Sequence, residues 1–65
     1  MKIIVNGEGR ELPAETLLDV LWELGLIDAT VATAVNRDFV PVTARASTRL
    51  AEGDAIEILA PMQGG

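Results

Sequence analysis

The chain has 65 residues, one small domain's worth, and folding at this size buries only about 60% of the extended surface, too little for a deep catalytic cleft. Ten acidic residues outnumber five basic ones, for a net charge of −5, which argues against nucleic-acid binding through clustered Lys and Arg. With no His and no Cys, imidazole and thiolate catalysis, zinc fingers and disulfide scaffolds are excluded.

An apolar share of 49% against 23% charged is too hydrophobic for a disordered tail. No apolar stretch approaches the ~20 residues that span a bilayer. Lys2 is followed by only three apolar residues before Asn6-Gly7, which is no signal peptide. The expectation is a folded cytoplasmic protein with neither membrane nor nucleic-acid partner. Met1 reads as a natural start and Gly65 as the true C-terminus.

Lys2-Ile3-Ile4-Val5 reads as a strand rich in β-branched residues. Asn6-Gly7-Glu8-Gly9 is a turn signal, and Arg10-Glu11-Leu12 returns as a second strand ended by Pro13. Leu17, Val20, Leu21 and Leu24 fall at i, i+3, i+4 and i+7, one apolar stripe of a helix over Leu17 to Leu24. Thr16 caps it with Asp19 three residues on, and Gly25-Leu26 suits a left-handed closure packed back on Leu21.

Val31 to Val35 is a strand, Asn36-Arg37-Asp38 a turn, and Phe39-Val40 a short extended piece stopped by Pro41. Thr43 to Thr48 reads as a surface loop and Leu50 as an isolated core anchor. Glu52-Gly53-Asp54 turns the chain into the last strand, Ala55 to Leu59, with Ile56 and Ile58 on one face and Glu57 on the other.

One amphipathic helix covers one sheet face, so the fold class is α+β: a mixed sheet of four to five strands with the main helix on one side. The first and last strands are the most continuously apolar and are placed centrally. As neighbours they must run parallel, with the helix in the crossover. Val5-Asn6-Gly7-Glu8 and Val35-Asn36-Arg37-Asp38 echo each other, but both are read as plain strand-to-turn transitions. The expected core is Ile3, Val5, Leu12, Leu17, Val20, Leu21, Leu24, Val35, Val40, Leu50, Ile56 and Ile58.

Chemistry is sparse. Glu8, Glu11 and Glu15, and again Glu52, Asp54 and Glu57, cluster in sequence, but on turns and outward positions they read as a solvated surface or as steering charges for a basic partner. Asn6-Gly7-Glu8-Gly9 lacks the spacing, the Lys and the helix of a phosphate loop. Asp38 with Glu52 or Asp54 has no metal-ligand spacing. Trp22 is expected to cover the edge of the core, ahead of the alternative of a partner contact, and Phe39 is open to the same two readings.

Residues 61–65, Pro61-Met62-Gln63-Gly64-Gly65, read as a tail on a domain of residues 1–60. A frayed end is the bland explanation. Two terminal glycines, however, make the thinnest possible peptide, able to thread a narrow channel. Five extended residues reach about 17 Å, far enough to place a terminal carboxylate inside another protein's active site.

The opening Met1 to Gly7, the helix Thr16 to Leu24 with Gly25-Leu26, Ala34 to Pro41, Glu52 to Ile58 and the terminal Gln63-Gly64-Gly65 together resemble the ThiS family. These are the small sulfur carrier proteins of thiamine biosynthesis, ubiquitin-like β-grasp proteins. The segment Val42 to Ala46 departs by being less polar and lacking an aromatic residue. The resemblance implies that an E1-like adenylyltransferase, using ATP and Mg²⁺, activates the Gly65 carboxylate. Sulfur from a relay such as a cysteine desulfurase then leaves a thiocarboxylate that donates to thiazole synthase.

On this reading Gly64, Gln63 and Met62 line the partner's channel, and this chain is a substrate and carrier, not an enzyme, binding no cofactor or metal itself. A chain without Cys fits, since an internal thiol could only divert the sulfur. The alternatives are a molybdopterin-synthase-type sulfur carrier, usually longer, a protein-conjugating ubiquitin-like modifier, and a passive β-grasp binding module.

Overall fold

A computed structural model of the protein describes residues 1–60. In chain order the elements are β1 (Lys2–Val5), β2 (Glu8–Glu11), α1 (Leu17–Glu23), β3 (Ala32–Val35), β4 (Asp38–Val40), a 3₁₀ helix (Val42–Ser47) and β5 (Ala55–Leu59). They form one five-stranded sheet in the order β2-β1-β5-β3-β4. β1 and β5 are parallel and every other pair is antiparallel. The central placing of the first and last strands, and the helix in their crossover, are as the hydrophobic pattern requires.

Local signals define α1 almost completely. Thr16 Oγ1 accepts from Asp19 N at 3.2 Å, while Asp19 Oδ2 accepts from Thr16 N at 3.1 Å and Glu15 N at 3.0 Å. This is a complete capping box. At the other end Gly25 has φ +74°, and its N–H reaches Trp22 O while Leu26 N reaches Leu21 O at 2.8 Å, the paired bonds of a Schellman closure.

The bonds from Glu15 N and Thr16 N hold the Asp19 carboxyl below its usual 3.8. A depressed folded-state pKa adds stability that is complete above the unfolded value and is lost as pH falls through the folded one. Asp19→Asn is therefore expected to lower the urea midpoint at pH 7 and to narrow its gap from wild type below the ordinary carboxylate range. A gap that persists unchanged at pH 2 would refute the charge contribution.

The core lies between α1 and the sheet. Leu17, Val20 and Leu21 pack over Ile3, Val5, Ile56 and Ile58, with Val40, Leu50 and Ala14 closing the sides. Each fully buried aliphatic side chain contributes about 1.5–3 kcal/mol. Leu12, Leu24 and Val35, expected in the core, are half-buried and pack against it. Ala14 was not anticipated there.

Several boundaries differ from the sequence expectation. Both hairpins use two-residue turns: φ is 49° at Asn6 and 84° at Gly7, and 49° at Asn36 and 72° at Arg37. Positive φ at both central positions matches the right-handed twist of the flanking strands. Glu8 and Gly9 consequently pair with Val5 and Ile4 in β2, and Asp38 joins β4 opposite Val35. Leu12 and Val31 fall just outside the strands.

The expected loop at 43–48 is the 3₁₀ helix. Its Arg45 is only 6% exposed: Nε donates to Thr33 Oγ1 at 3.0 Å and Nη2 to Val31 O at 2.6 Å. Thr33 in turn donates to Val40 O at 2.8 Å. This buried polar chain ties the 3₁₀ helix to β3 and β4.

Candidate functional site

β5 is the middle strand, and it delivers the chain to Ala60, the last described residue. Met62, Gln63, Gly64 and Gly65, the residues singled out from the sequence, lie outside the described residues; the structure fixes their root.

β5 is held from both sides along its length, and at the root by Asn6. On the β1 side Ile4 N donates to Asp54 O and Asn6 N to Ile56 O, each at 2.9 Å. The Asn6 side chain continues the ladder: Nδ2 donates to Ile58 O at 3.1 Å and Oδ1 accepts from Ile58 N at 2.9 Å. On the β3 side Asn36 N donates to Ala55 O at 2.7 Å, and Asn36 Oδ1 accepts from Ala55 N at 3.0 Å. The sequence echo at Asn6 and Asn36 thus has a structural meaning: two like turns, each carrying an asparagine that bonds the backbone of β5. Nothing local in the sequence signals the bonding, because the partner is 52 residues away in one case and 19 in the other.

Two surfaces meet at the root. One is a groove of about 500 Å³ between the end of α1 and the sheet, floored by Val5, Leu24, Leu26, Val31 and Ile58, rimmed by Asn6, Glu8 and Arg10, and reaching Ala60. The other is the sheet face away from α1. Strand alternation places Ile4, Ala32, Ala34, Phe39 and Leu59 there, with Ala32 opposite Leu59 and Ala34 opposite Phe39. Phe39 is 69% and Leu59 62% exposed. Exposed large apolar groups of this kind mark interaction surfaces.

Trp22 is 66% exposed and does not cover the core edge. It follows Leu21 directly, so it lies about 100° round the helix from a residue aimed at the sheet.

The acidic groups are structural or solvated. Both Glu52 carboxylate oxygens accept from Lys2 N at 3.2 Å, and Asp54 accepts from Ala51 N at 2.8 Å and Asn36 Nδ2 at 3.1 Å. Glu8, Glu11, Glu15 and Glu57 are exposed. Among the described residues no group of three or more acidic side chains is placed to hold a metal ion. Nor is any described helix long and apolar enough to cross a membrane.

The fold is a ubiquitin-like β-grasp whose central strand ends at the root of a C-terminal segment. The crystal structure of a thiamine biosynthesis protein (ThiS) from Geobacter metallireducens superposes with a TM-score of 0.82 at 30% identity, covering all of both chains. A solution structure of a thiamine biosynthesis protein from the same organism gives 0.77 at 30% identity, covering all of this chain and 88% of the other.

The sulfur carrier protein ThiS of Thermus thermophilus is 38% identical over 61 residues, 94% of this chain and 95% of that one. A thiazole synthase of Paramagnetospirillum magneticum is 36% identical over 66 residues, which is all of this chain but only 20% of that protein. The ThiS family model matches residues 3–65. The chain belongs to the ThiS family and is a sulfur carrier of thiamine biosynthesis.

Proposed function

We propose that the carboxylate of Gly65 is the group that carries sulfur. A carboxylate is a poor acyl donor. Attack of its oxygen on the α-phosphorus of ATP, with pyrophosphate leaving, makes an acyl adenylate on an E1-like partner that supplies the Mg²⁺. The terminal sulfur of a persulfide from a cysteine-desulfurase relay then displaces AMP, and a thiol reductant cleaves the resulting acyl disulfide to the thiocarboxylate, so that one carboxylate oxygen is exchanged for sulfur. Thiazole synthase takes up that sulfur.

In this reading residues 1–60 dock and residues 61–65 reach, with Met62, Gln63 and Gly64 lining the partner's channel. The chain is a substrate and not a catalyst, binds no cofactor itself, and works in the cytoplasm. Docking raises the effective concentration of the tail at the partner's active site.

The observation that carries the reading is the family match running through Gly65, on a chain whose central strand delivers that segment. The segment of similar sequence within a protein named thiazole synthase supports the final partner, since one polypeptide holding both keeps them at high effective concentration.

The test is intact and fragment mass spectrometry after incubation with the activating enzyme, ATP and a sulfur source. The fragment holding Gly64-Gly65 must be isolated, because Met oxidation adds nearly the mass of the oxygen-to-sulfur exchange. Exchange on Gly65 is expected. An unmodified carboxylate, with the enzyme active on another carrier, overturns the reading.

The exposed sheet face is the docking surface in this scheme. Leu59→Asp or Phe39→Asp is expected to raise KM for adenylation about 10- to 30-fold, the effect of losing one interface anchor. Unfolding free energy should stay within about 0.5 kcal/mol of wild type, as for surface changes generally. An unchanged KM in both variants would move docking off this face.

A further inference from the structure

β1 pairs with β5 only through Ile4↔Ala55 and Val5↔Ile56, then turns away, because Asn6 and Gly7 take φ of 49° and 84°. Along this edge the backbone groups facing the first strand are those of residues 54, 56 and 58: Asp54 O accepts from Ile4 N and Ile56 O from Asn6 N. Ile58 is the next rung, and β1 has already left. The Asn6 carboxamide fills the vacancy, donating to Ile58 O at 3.1 Å and accepting from Ile58 N at 2.9 Å. An amide side chain carries the same donor and acceptor as a peptide unit, so it stands in for the missing strand residue.

From this we propose that Asn6 is a positioning residue for sulfur loading, acting by holding the end of β5 so that the C-terminal segment starts from a fixed point beside the docking face. The inference rests on the functional reading above. Ile58 is two residues before Ala60 and seven before Gly65. On that reading an anchored root fixes where the segment leading to Gly65 begins. A frayed root puts moving residues between the docked domain and Gly65 and lowers the effective concentration of its carboxylate in the partner's active site. Docking through the sheet face is untouched by this, so the loss falls on kcat and not on KM.

The second hairpin supplies the control. Asn36 sits at the same position of a like turn and bonds Ala55 at the opposite end of β5, where it cannot steer the terminal segment. Glycine accepts the positive φ of either site, so Asn6→Gly and Asn36→Gly each remove a carboxamide while keeping the turn.

The experiment measures backbone amide exchange, urea stability, and KM and kcat of adenylation for wild type and both variants. Asn6→Gly is expected to speed Ile58 amide exchange at least about 5-fold, the worth of one hydrogen bond. It should also lower kcat several-fold with KM within about twofold, the split a tether effect predicts. Asn36→Gly is expected to lose comparable stability and keep kcat. A wild-type kcat in Asn6→Gly, or an equal fall in both variants, overturns the assignment.

Should Asn6→Gly fail to fold, Asn6→Asp keeps the acceptor for Ile58 N but loses the donor, and the same quantities decide. If the wild-type chain is never adenylated, the functional reading fails, and unchanged Ile58 exchange in the variant then overturns the anchor separately.

Discussion

Removing Gly65 is expected to abolish sulfur loading and leave the fold intact. The core is assembled from residues between Ile3 and Ile58, so the truncated chain should keep its urea midpoint. What it loses is position. Its new terminal carboxylate, on Gly64, stops one residue short, about 3.4 Å back along an extended chain. Reactive groups must meet within about 3–3.5 Å, and a displacement of even 1 Å can cost about 10²-fold. The shortfall therefore removes the reaction instead of slowing it.

Because docking belongs to the domain, the truncated protein should still compete with wild type for the activating enzyme. Gly64→Val should behave similarly, blocking adenylation more than docking, since a branched Cβ thickens the peptide where two glycines make it thinnest. Mass spectrometry of the loading reaction and a competition assay separate the outcomes. Full loading of the truncated chain would remove Gly65 from the mechanism.

The parts of this fold that were legible in the sequence are those whose signals are local. Thr16 with Asp19, and Gly25 with Leu26, marked both ends of α1 to within a residue. Ile56 and Ile58 flanking Glu57 gave the orientation of β5. The Asn6-Gly7-Glu8-Gly9 run was ambiguous for a physical reason: two glycines allow the turn at either pair. Only the cross-strand register, Val5 with Glu8 and Ile4 with Gly9, decides between them.

The sequence shows Asn6, Asn36 and Arg45 only as turn and loop residues, because their partners are remote in sequence. The exposed apolar face could have been found by listing the off-phase residues Ile4, Phe39 and Leu59 beside the core positions. For the tail itself, the terminal Gly-Gly and the family resemblance are what point to Gly65, since residues 61–65 lie beyond those described.

Arg45 carries the second large expected effect. Its guanidinium is buried, and among the described residues none of the salt bridges involves it. Its charge is instead stabilised by hydrogen bonds to Thr33 Oγ1 and Val31 O. Bonds to a charged group are worth about 1.5–3 kcal/mol, and its removal would leave the half-buried Val31 O without its donor and Thr33 Oγ1 with only its bond to Val40 O. Arg45→Ala also deletes a side chain that is almost wholly buried, stem included.

The expected loss is about 2–4 kcal/mol, out of the roughly 3–10 kcal/mol available to a domain of this size. Arg45→Lys should recover little, because a single ammonium lacks the planar fork that reaches two acceptors at once. Arg45→Met should fall between wild type and Ala, since it restores packing and avoids the cost of burying a charge while leaving Val31 O without its donor. Urea midpoints for the three variants give the order. A loss under about 0.5 kcal/mol in Arg45→Ala, the range of an ordinary surface change, would mean that the 3₁₀ helix is held by its apolar contacts alone.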